Sequence, residues 1–313
     1  MSILQTTIQP KHEPLVSVLM PVFNTDKYLA AAIESILDQT YSNLELICLN
    51  DGSTDKSLDI MRGYALCDSR IRVYTQENAG LVPARNRTLE LANGKYAALM
   101  DSDDISASER LQKQVDFMES HYDHVAVGSY AERTDPYGSP AGITEPPLTH
   151  DEIDTALLSG DGSALSQPTM LIRTEAFKSI NGWSDQFNFV EDLDMQLRLA
   201  EVGKLANIAE PLFTYRRHMD SFCFRNYQTM TTQIADIINA AYKRRGINDT
   251  VSLEQVRPDL KEKHNPAEIY RNWACHAIHN HNRKIAYKHA FNAIRKEPFN
   301  IKSWQVAYWS LSA

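Results

Sequence analysis

Three carboxylates lie within four positions at the end of a short apolar run. Residues 96–100 (Tyr-Ala-Ala-Leu-Met) lead directly into Asp101, Ser102, Asp103 and Asp104. Carboxylates this close together repel one another, and a divalent cation is the simplest way to relieve the repulsion. The stretch therefore predicts a site for a metal ion and a phosphate-bearing ligand.

A second acidic group, Glu191-Asp192-Leu193-Asp194, stands at the start of a predicted amphipathic helix whose apolar residues include Met195, Leu197 and Leu199. Acids in the first turn of a helix are favoured by the helix dipole alone. The alternative interpretation is that one of them accepts a proton in a reaction.

The first half of the chain alternates between predicted strands and predicted helices. Apolar and β-branched runs predict strands at Leu15–Val22, Leu44–Leu49, Ile71–Tyr74, Tyr96–Met100 and His124–Ala131. Helices are predicted near residues 26–39, 55–66, 81–93 and 106–121. This alternation predicts βαβ units and a mainly parallel sheet.

Short local signals predict where these helices begin and end. Thr25 is a candidate N-cap, and Ser106 with Glu109 forms a capping-box pattern. Gly94 is the expected C′ residue of the third helix.

Three strand ends should meet at one edge of this sheet, because parallel strands present their carboxyl ends together. They are Pro21–Asn24, Asn50–Asp51 and Asp101–Asp104. Each end is polar or acidic. The alternative is that Asp51 and Asp101 only cap the helices that follow, and the coincidence of three such ends favours a binding site over that interpretation.

The sequence lacks the two common glycine-rich phosphate-binding motifs at the expected places, and this limits the class of ligand. The first strand is followed by Pro-Val-Phe-Asn rather than GxGxxG, and no GxxxxGK[ST] occurs. Without a glycine loop, phosphate is expected to bind through a cation held by carboxylates. Oxygen ligands favour Mg²⁺ or Mn²⁺, so a nucleoside diphosphate is the expected ligand.

Charge is unevenly distributed along the 313 residues, whose net charge is −8. Residues 243–313 carry 13 Lys and Arg against 6 Asp and Glu, while the preceding residues carry 19 against 34. The basic part is expected either to contact an anionic surface or to form a solvated helical face. The four cysteines are scattered without a CxxC pair, which suits a reducing cytoplasm.

The ordered series of short motifs resembles family 2 glycosyltransferases. The matching strings are Val16–Asn24 (VSVLMPVFN), Ser35–Tyr41 (SILDQTY), Asn50–Asp55 (NDGSTD), Asn78–Gly80, Ala84–Asn86, Met100–Asp104 (MDSDD), Gly182-Trp183, Glu191–Asp194 (EDLD) and Tyr215–His218 (YRRH). The resemblance implies an α/β protein with the GT-A fold, Rossmann-like with helices on both faces of a mainly parallel sheet, plus a C-terminal helical segment. It implies a tail at 1–14, a catalytic domain at 15–225 and helices at 226–313. The nucleotide-binding half of that domain would be 15–105 and the acceptor half 106–225.

The resemblance also implies a role for each matching residue. The nucleobase pocket and the rest of the donor site would be formed by Pro21, Val22, Phe23, Asn24, Asp51, Arg85, Asn86, Asp101 and Ser102. Phe23, where the family often has Tyr, would stack on the base, and Asp51 would accept a hydrogen bond from a uracil or thymine imide. Asp103 would bind Mn²⁺ or Mg²⁺, together with His218.

By the same resemblance, Asp192 is the general base of an inverting sugar transfer, and Glu191 orients it or the acceptor. The donor would be a UDP- or dTDP-sugar and the acceptor a glycan or lipid-linked oligosaccharide, with no role for nucleic acid. The family's QxxRW signature of processive enzymes is absent from the C-terminal helices. One sugar is therefore expected per encounter.

Two questions stay open at this point. The basic, aromatic C-terminal helices are expected either to lie on the inner face of the plasma membrane or to pack on the catalytic domain or a second subunit. The alternatives to a cytoplasmic transferase are an inactive nucleotide-sugar-binding subunit and a sugar-nucleotide pyrophosphorylase. The second would need a glycine-rich loop after the first strand, where Pro21–Asn24 stands.

Overall fold

The computed structural model describes residues 13–219, 221–256 and 265–312. Its strands, all in one sheet, are β1 (Val16–Val22), β2 (Leu44–Asp51), β3 (Ile71–Gln76), β4 (Tyr96–Leu99), β5 (Ile105–Ser106), β6 (His124–Thr134), β7 (Pro140–Thr144), β8 (Leu171–Arg173) and β9 (Lys204–Arg216). Its helices are α1 (Asp26–Leu37), α2 (Ser57–Cys67), α3 (Leu81–Leu91), α4 (Arg110–Ser120), α5 (His150–Leu158), α6 (Thr174–Ser179), α7 (Glu191–Ala200), α8 (Phe222–Arg244), α9 (Leu253–Val256), α10 (Pro266–His279), α11 (Arg283–Lys296) and α12 (Ile301–Ser312).

The first four strands form a parallel unit in the order β3-β2-β1-β4. Val22 pairs with Asn50, and Leu19 pairs with Leu99. The carboxyl ends of β1, β2 and β4 therefore lie side by side, as the apolar runs predicted.

Beyond β4 the sheet is mixed, in the order β4-β8-β6-β9-β5 with β7 on β6. β8 is antiparallel to both β4 and β6, while β6 and β9 are parallel. The expectation of a mainly parallel sheet thus holds for the first half only. β7 is largely exposed and β8 has three residues, so neither shows the alternation that would predict a strand from sequence.

Alternate residues of the central strands enter two separate hydrophobic clusters. Leu19, Ile47 and Leu99 belong to the cluster that includes α3, α5, α7 and α8. Val18 and Met20 belong to the cluster on the other side, with α1, α2 and α4. Helices therefore cover both faces, because the pleat sends successive side chains to opposite sides.

The C-terminal helices divide between two cores. Ile234, Ile237 and Ile238 of α8 are buried in the cluster that holds α7. Helices α10, α11 and α12 pack on one another around Ala274 and Ala290. No helix within the described ranges is long and apolar enough to cross a bilayer.

Two of the three predicted helix-end signals are wrong. Thr25 does occupy the N-cap position of α1, although its side chain makes no cap bond and its hydroxyl lies 2.9 Å from that of Ser102. Ser106 belongs to β5, and α4 begins after Glu109 without a side-chain cap. Helix α3 ends at Leu91, three residues before Gly94. At these positions contacts with residues distant in sequence override the local helix-capping preference.

Gly94 is instead required by close packing. A Cβ built on it would lie 2.6 Å from the carbonyl oxygen of Leu15 and 2.7 Å from the amide nitrogen of Ser17. Its own N–H donates to the Ser17 hydroxyl at 2.8 Å. The approach of this loop to the start of β1 leaves no room for a side chain.

Gly94→Ala is therefore expected to lower the free energy of unfolding by about 1–3 kcal/mol, the usual cost of overpacking. The control is Gly63→Ala in α2, where nothing lies within 4 Å of the added Cβ. That change should raise stability by about 0.4–1 kcal/mol by restricting the unfolded chain. Urea denaturation measures both, and equal stability of the two variants would contradict the packing argument.

Candidate functional site

The ends of β1 and β2 are locked together by side-chain bonds. The Asn24 side chain accepts the N–H of Thr54 at 2.8 Å, and the Asn24 N–H donates to the Ser53 hydroxyl at 3.1 Å. Asn24 has φ of 52°, a left-handed conformation that asparagine tolerates. This turn leaves Phe23 49% exposed beside the buried Val22, so the Phe23 ring presents an apolar surface at the sheet edge.

Asp51 organises the loop that leads into α3. Its Oδ1 accepts from the Gln76 amide at 2.8 Å and from the Ala79 N–H at 2.9 Å, and its Oδ2 accepts from the Gly80 N–H at 3.1 Å. The carboxylate is buried. Among the described residues Oδ2 has a single donor, so it retains capacity for a second. Gln76 was missed by sequence reasoning, because only its pairing opposite Asp51 in β3 reveals it.

The three acids after β4 have three different partners. Asp101 Oδ1 accepts from Arg85 at 3.2 Å, and Asp103 Oδ2 lies 2.8 Å from Nε2 of His218. Asp104 is buried, where its Oδ1 accepts the backbone N–H of Arg216 at 2.7 Å. Burial raises the pKa of Asp104 well above its usual range, and the charges of Asp103 and Asp101 add to this. Asp104 therefore supports the turn, while the side chains of Asp101 and Asp103 remain partly exposed.

Asp103 and His218 have the chemistry of a partial metal site. The His218 ring is buried, its Nδ1 has no partner among the described residues, and Tyr28 packs 5.1 Å away between ring centroids. No group of three or more His, Cys, Asp or Glu within the described ranges is arranged to hold a metal. The Asp103 carboxylate nonetheless suits Mn²⁺ or Mg²⁺ when a ligand's phosphate oxygens complete the coordination, and the His218 imidazole fits Mn²⁺ better than Mg²⁺.

Arg85 joins the strand-end acids to those of α7. Its guanidinium pairs with Glu191 on one side and with Asp101 on the other, and its side chain is only 9% exposed. Burial raises the pKa of Glu191 to about 7, against the opposing effect of Arg85. This glutamate therefore holds a proton up to much higher pH than an exposed one.

Asp192 occupies the second position of α7, next to this pair. Its Oδ1 accepts the N–H of Leu193 at 2.8 Å. Burial raises the pKa of Asp192, although the hydrogen bond from Leu193 opposes the shift. Asp194 is not part of the site, because it is buried in an ion pair with Arg198 at 2.7 Å. A carboxylate with a raised pKa at a helix N-terminus is suited to accept a proton.

Asn86 bonds to the loop at Trp183 through both ends of its side-chain amide. Its side-chain oxygen accepts the N–H of Trp183 at 3.0 Å, and its NH₂ donates to the Trp183 carbonyl at 2.9 Å. Both ends of the amide are thus used to hold the 183 loop on α3. Trp183 in turn lies 5.8 Å from the Arg85 guanidinium, so Asn86 supports the site through Trp183.

Tyr28 and Arg216 lie beside the Asp103–His218 pair. The Arg216 guanidinium lies 5.0 Å from the Tyr28 ring centroid, and its Nε donates to the Asp103 carbonyl at 3.0 Å. Sequence reasoning missed Tyr28, although its place in the first turn after Asn24 is a usable signal. The assembled site therefore has three parts. Phe23 and Tyr28 supply aromatic rings, Asp103 and His218 form a carboxylate–imidazole pair, and the buried Arg85 joins Asp101 to Glu191.

Comparison with known proteins gives consistent matches. The sequence model of the family described as "Glycosyl transferase family 2" matches residues 17–180. A putative glycosyltransferase, EpsE of Bacillus subtilis (strain 168), is 34% identical over 236 residues, which cover 74% of this chain and 83% of the relative.

Two solved structures resemble the fold over nearly the whole chain. The S. aureus TarS 1–349 structure in complex with UDP-GlcNAc has a TM-score of 0.62 at 16% identity, covering 95% of this chain and 91% of that one. The mannosyltransferase PcManGT from Pyrobaculum calidifontis, in complex with GDP-Man and Mn²⁺, has a TM-score of 0.53 at 16% identity, covering 97% and 81%. At these identities the two likenesses establish the fold, and they confirm the predicted fold class.

The raised pKa of Glu191 predicts a pH-dependent stability. Between pH 4.5 and about 7 the folded state keeps a proton that the unfolded state has released. The contribution of Glu191 to the free energy of unfolding therefore falls as the pH rises through that window. Glu191→Gln should remove that fall, so its free energy of unfolding should depend less steeply on pH than that of the wild type.

Urea unfolding at several pH values within the window measures the difference. The control is Glu90→Gln, which removes a carboxylate whose side chain is 63% exposed. Parallel stability curves for wild type and Glu191→Gln would show that Glu191 ionises alike in the folded and unfolded states.

Proposed function

This chain belongs to glycosyl transferase family 2, and we propose that it moves one sugar per encounter from a UDP- or dTDP-activated donor to a glycan or lipid-linked oligosaccharide, with Asp192 as the general base. The sugar would be a hexose or an N-acetylhexosamine, and the anomeric centre would be inverted. Bacterial cell-envelope polysaccharide is the proposed product. Residues 15–225 would carry the reaction, with residues 226–313 as the helical region.

The observation that supports this most strongly is the position of Arg85 between Asp101 and Glu191. Two acidic motifs that are distant in sequence reach the same guanidinium. Sugar transfer needs the departing diphosphate and the proton acceptor held on either side of one reacting carbon. Asp103 would serve the first need and Asp192 the second.

The donor nucleotide would lie along the edge formed by β1, β2 and β4. Its base would stack on the exposed Phe23 ring and hydrogen-bond to Asp51 Oδ2, with the ribose at Asp101 and Ser102. A uridine or thymidine base is proposed because its imide N–H is a donor that a carboxylate can accept. The UDP-GlcNAc bound by TarS supports this choice.

Mn²⁺ or Mg²⁺ would be held by Asp103 and His218 together with the donor diphosphate. The ion would neutralise charge on the departing nucleoside diphosphate. Arg216 stands beside this pair, with its Nε bonded to the Asp103 carbonyl, and it would keep Asp103 in place. The Mn²⁺ in the PcManGT complex supports metal use by this fold.

Asp192 would take the proton from the attacking acceptor hydroxyl. Burial raises its pKa, which brings its basicity closer to that needed near neutral pH. Glu191 would orient the acceptor or Asp192, because its own carboxyl is held by Arg85. The two adjacent acids thereby have separate tasks.

The helices α10, α11 and α12 would face the acceptor's surroundings. Trp304 and Trp309 of α12 are exposed, as is Phe299 in the connection between α11 and α12, and the segment is basic. We propose peripheral contact with the inner face of the plasma membrane, where a lipid-linked acceptor would lie. Packing against a second copy is the alternative, and co-sedimentation with anionic vesicles distinguishes the two.

Two other functions need different features. A nucleotide-sugar-binding subunit without activity would not need Asp192 beside the donor site. A pyrophosphorylase would need a glycine-rich loop where Pro21 and Phe23 stand. Measured transfer activity and its dependence on Asp192 separate all three.

Asp192→Asn should reduce sugar transfer by about 10²–10⁴-fold, the usual contribution of a general base. UDP affinity should stay within about twofold, because the amide keeps the shape of the carboxylate. UDP release from UDP-sugars measures the first effect, and calorimetric titration with UDP measures the second. Asp185→Asn, which changes an exposed acid just before α7, is the control. Full turnover by Asp192→Asn would remove Asp192 from the role of base.

Asp103→Asn should weaken UDP binding in the presence of Mn²⁺ by at least about tenfold, which corresponds to about 1.4 kcal/mol. EDTA should weaken binding to the wild type similarly and should have little further effect on the variant. Asp59→Asn, an exposed acid on α2, is the control. UDP binding that is indifferent to EDTA would contradict the metal assignment.

A further inference from the structure

A second pocket lies between the β6–β7 hairpin and α10, outside the site described above. Its volume is about 300 Å³, large enough for a group the size of a monosaccharide. Its lining includes Arg133, Ala141, Arg217, Asn272, Trp273 and His276. None of the described residues that line it is an aspartate or a glutamate.

Neither Arg133 nor Arg217 forms an ion pair with a described residue, unlike Arg85, which pairs with Asp101 and Glu191. The Nε of Arg133 is buried and has no hydrogen-bond acceptor. A buried donor without a partner is costly, and two unpaired guanidinium groups in one concavity create a strongly positive field. A bound anion would satisfy both.

The pocket adjoins the candidate metal pair through one short segment. Arg216 donates its backbone N–H to Asp104, and His218 lies 2.8 Å from Asp103. Arg217, between them, lines the pocket instead, while its backbone N–H donates to the Thr134 carbonyl at 2.9 Å. The side chains of Arg216 and His218 thus contact Asp103 on the donor side, while the side chain of Arg217 lines the second pocket.

We infer that this pocket binds an anionic group, a phosphate or a carboxylate, carried by a sugar of the acceptor. The forked guanidinium groups of Arg133 and Arg217 match the geometry of both anions. Trp273 and Ala141 give an apolar wall suited to the ring of the sugar that carries the charge. The inference rests on the proposed function, because it identifies the acceptor as an anionic glycan.

The test is calorimetric titration of the full chain with glucose 6-phosphate and glucuronate as probes, with UDP and Mn²⁺ saturating the donor site. Both sugar anions should bind more tightly than glucose and more tightly than inorganic phosphate. Arg133→Gln and Arg217→Gln should each weaken them by about tenfold or more, and Arg133→Lys, which keeps the charge but not the fork, should weaken them less. Arg295→Gln, an exposed arginine on α11 away from the pocket, should leave their affinity unchanged.

The outcomes separate the two levels of the argument. UDP is titrated first, and failure of the wild type to bind it would remove the proposed function. UDP binding without sugar-anion binding, or sugar-anion binding that survives both substitutions, would overturn the pocket assignment alone. Inorganic phosphate binding as tightly as glucose 6-phosphate would show a free-phosphate site and would likewise overturn it. Arg217 is exposed, so Arg217→Gln keeps the test valid even if Arg133→Gln fails to fold.

Discussion

The buried ion pairs of Arg85 hold the two halves of the site at a fixed separation. Removing a buried guanidinium from between two carboxylates leaves uncompensated charge, which is far more costly than losing a surface pair. Arg85 comes from α3, Asp101 from the end of β4 and Glu191 from the start of α7, so all three elements are bound to one position. The loop held by Asp51 and the Trp183 clamp held by Asn86 both act on the same helix.

The edge of the sheet could be predicted from sequence because it depends on chain order and parallel pairing. Apolar runs that end in Asp51 and Asp101 needed only the rule that parallel strands share a carboxyl edge. The separate roles of the acids could not be predicted in this way. Asp104 is fixed by Arg216, 112 residues away, and His218 lies 115 residues from Asp103. Only the family resemblance suggested that His218 and Asp103 belong together.

The second half of the sheet was less predictable for a related reason. β8 has three residues and β7 is largely exposed, so neither shows the alternation that identifies a strand. Both are stabilised by β6 and β4, strands that are buried and apolar. The capping signals at Ser106 and Gly94 were wrong for a similar reason, because Ser106 belongs to β5 and Gly94 packs against the start of β1. The secondary-structure preference of a residue contributes little to stability compared with a long-range contact at the same position.

The segment from Arg216 to His218 would fix the position of the acceptor relative to the donor in the proposed reaction. Two of its side chains face the strand-end acids, and the third faces a pocket without acids. An acceptor anion bound by Arg217 would therefore be fixed relative to the same backbone that fixes His218, the proposed metal ligand. Acceptor hydroxyls would then reach Asp192 only from a limited set of positions along the glycan. On this reasoning the choice of hydroxyl would be set by the distance between the charged group and the attacking oxygen, more than by contacts at the proposed base, Asp192.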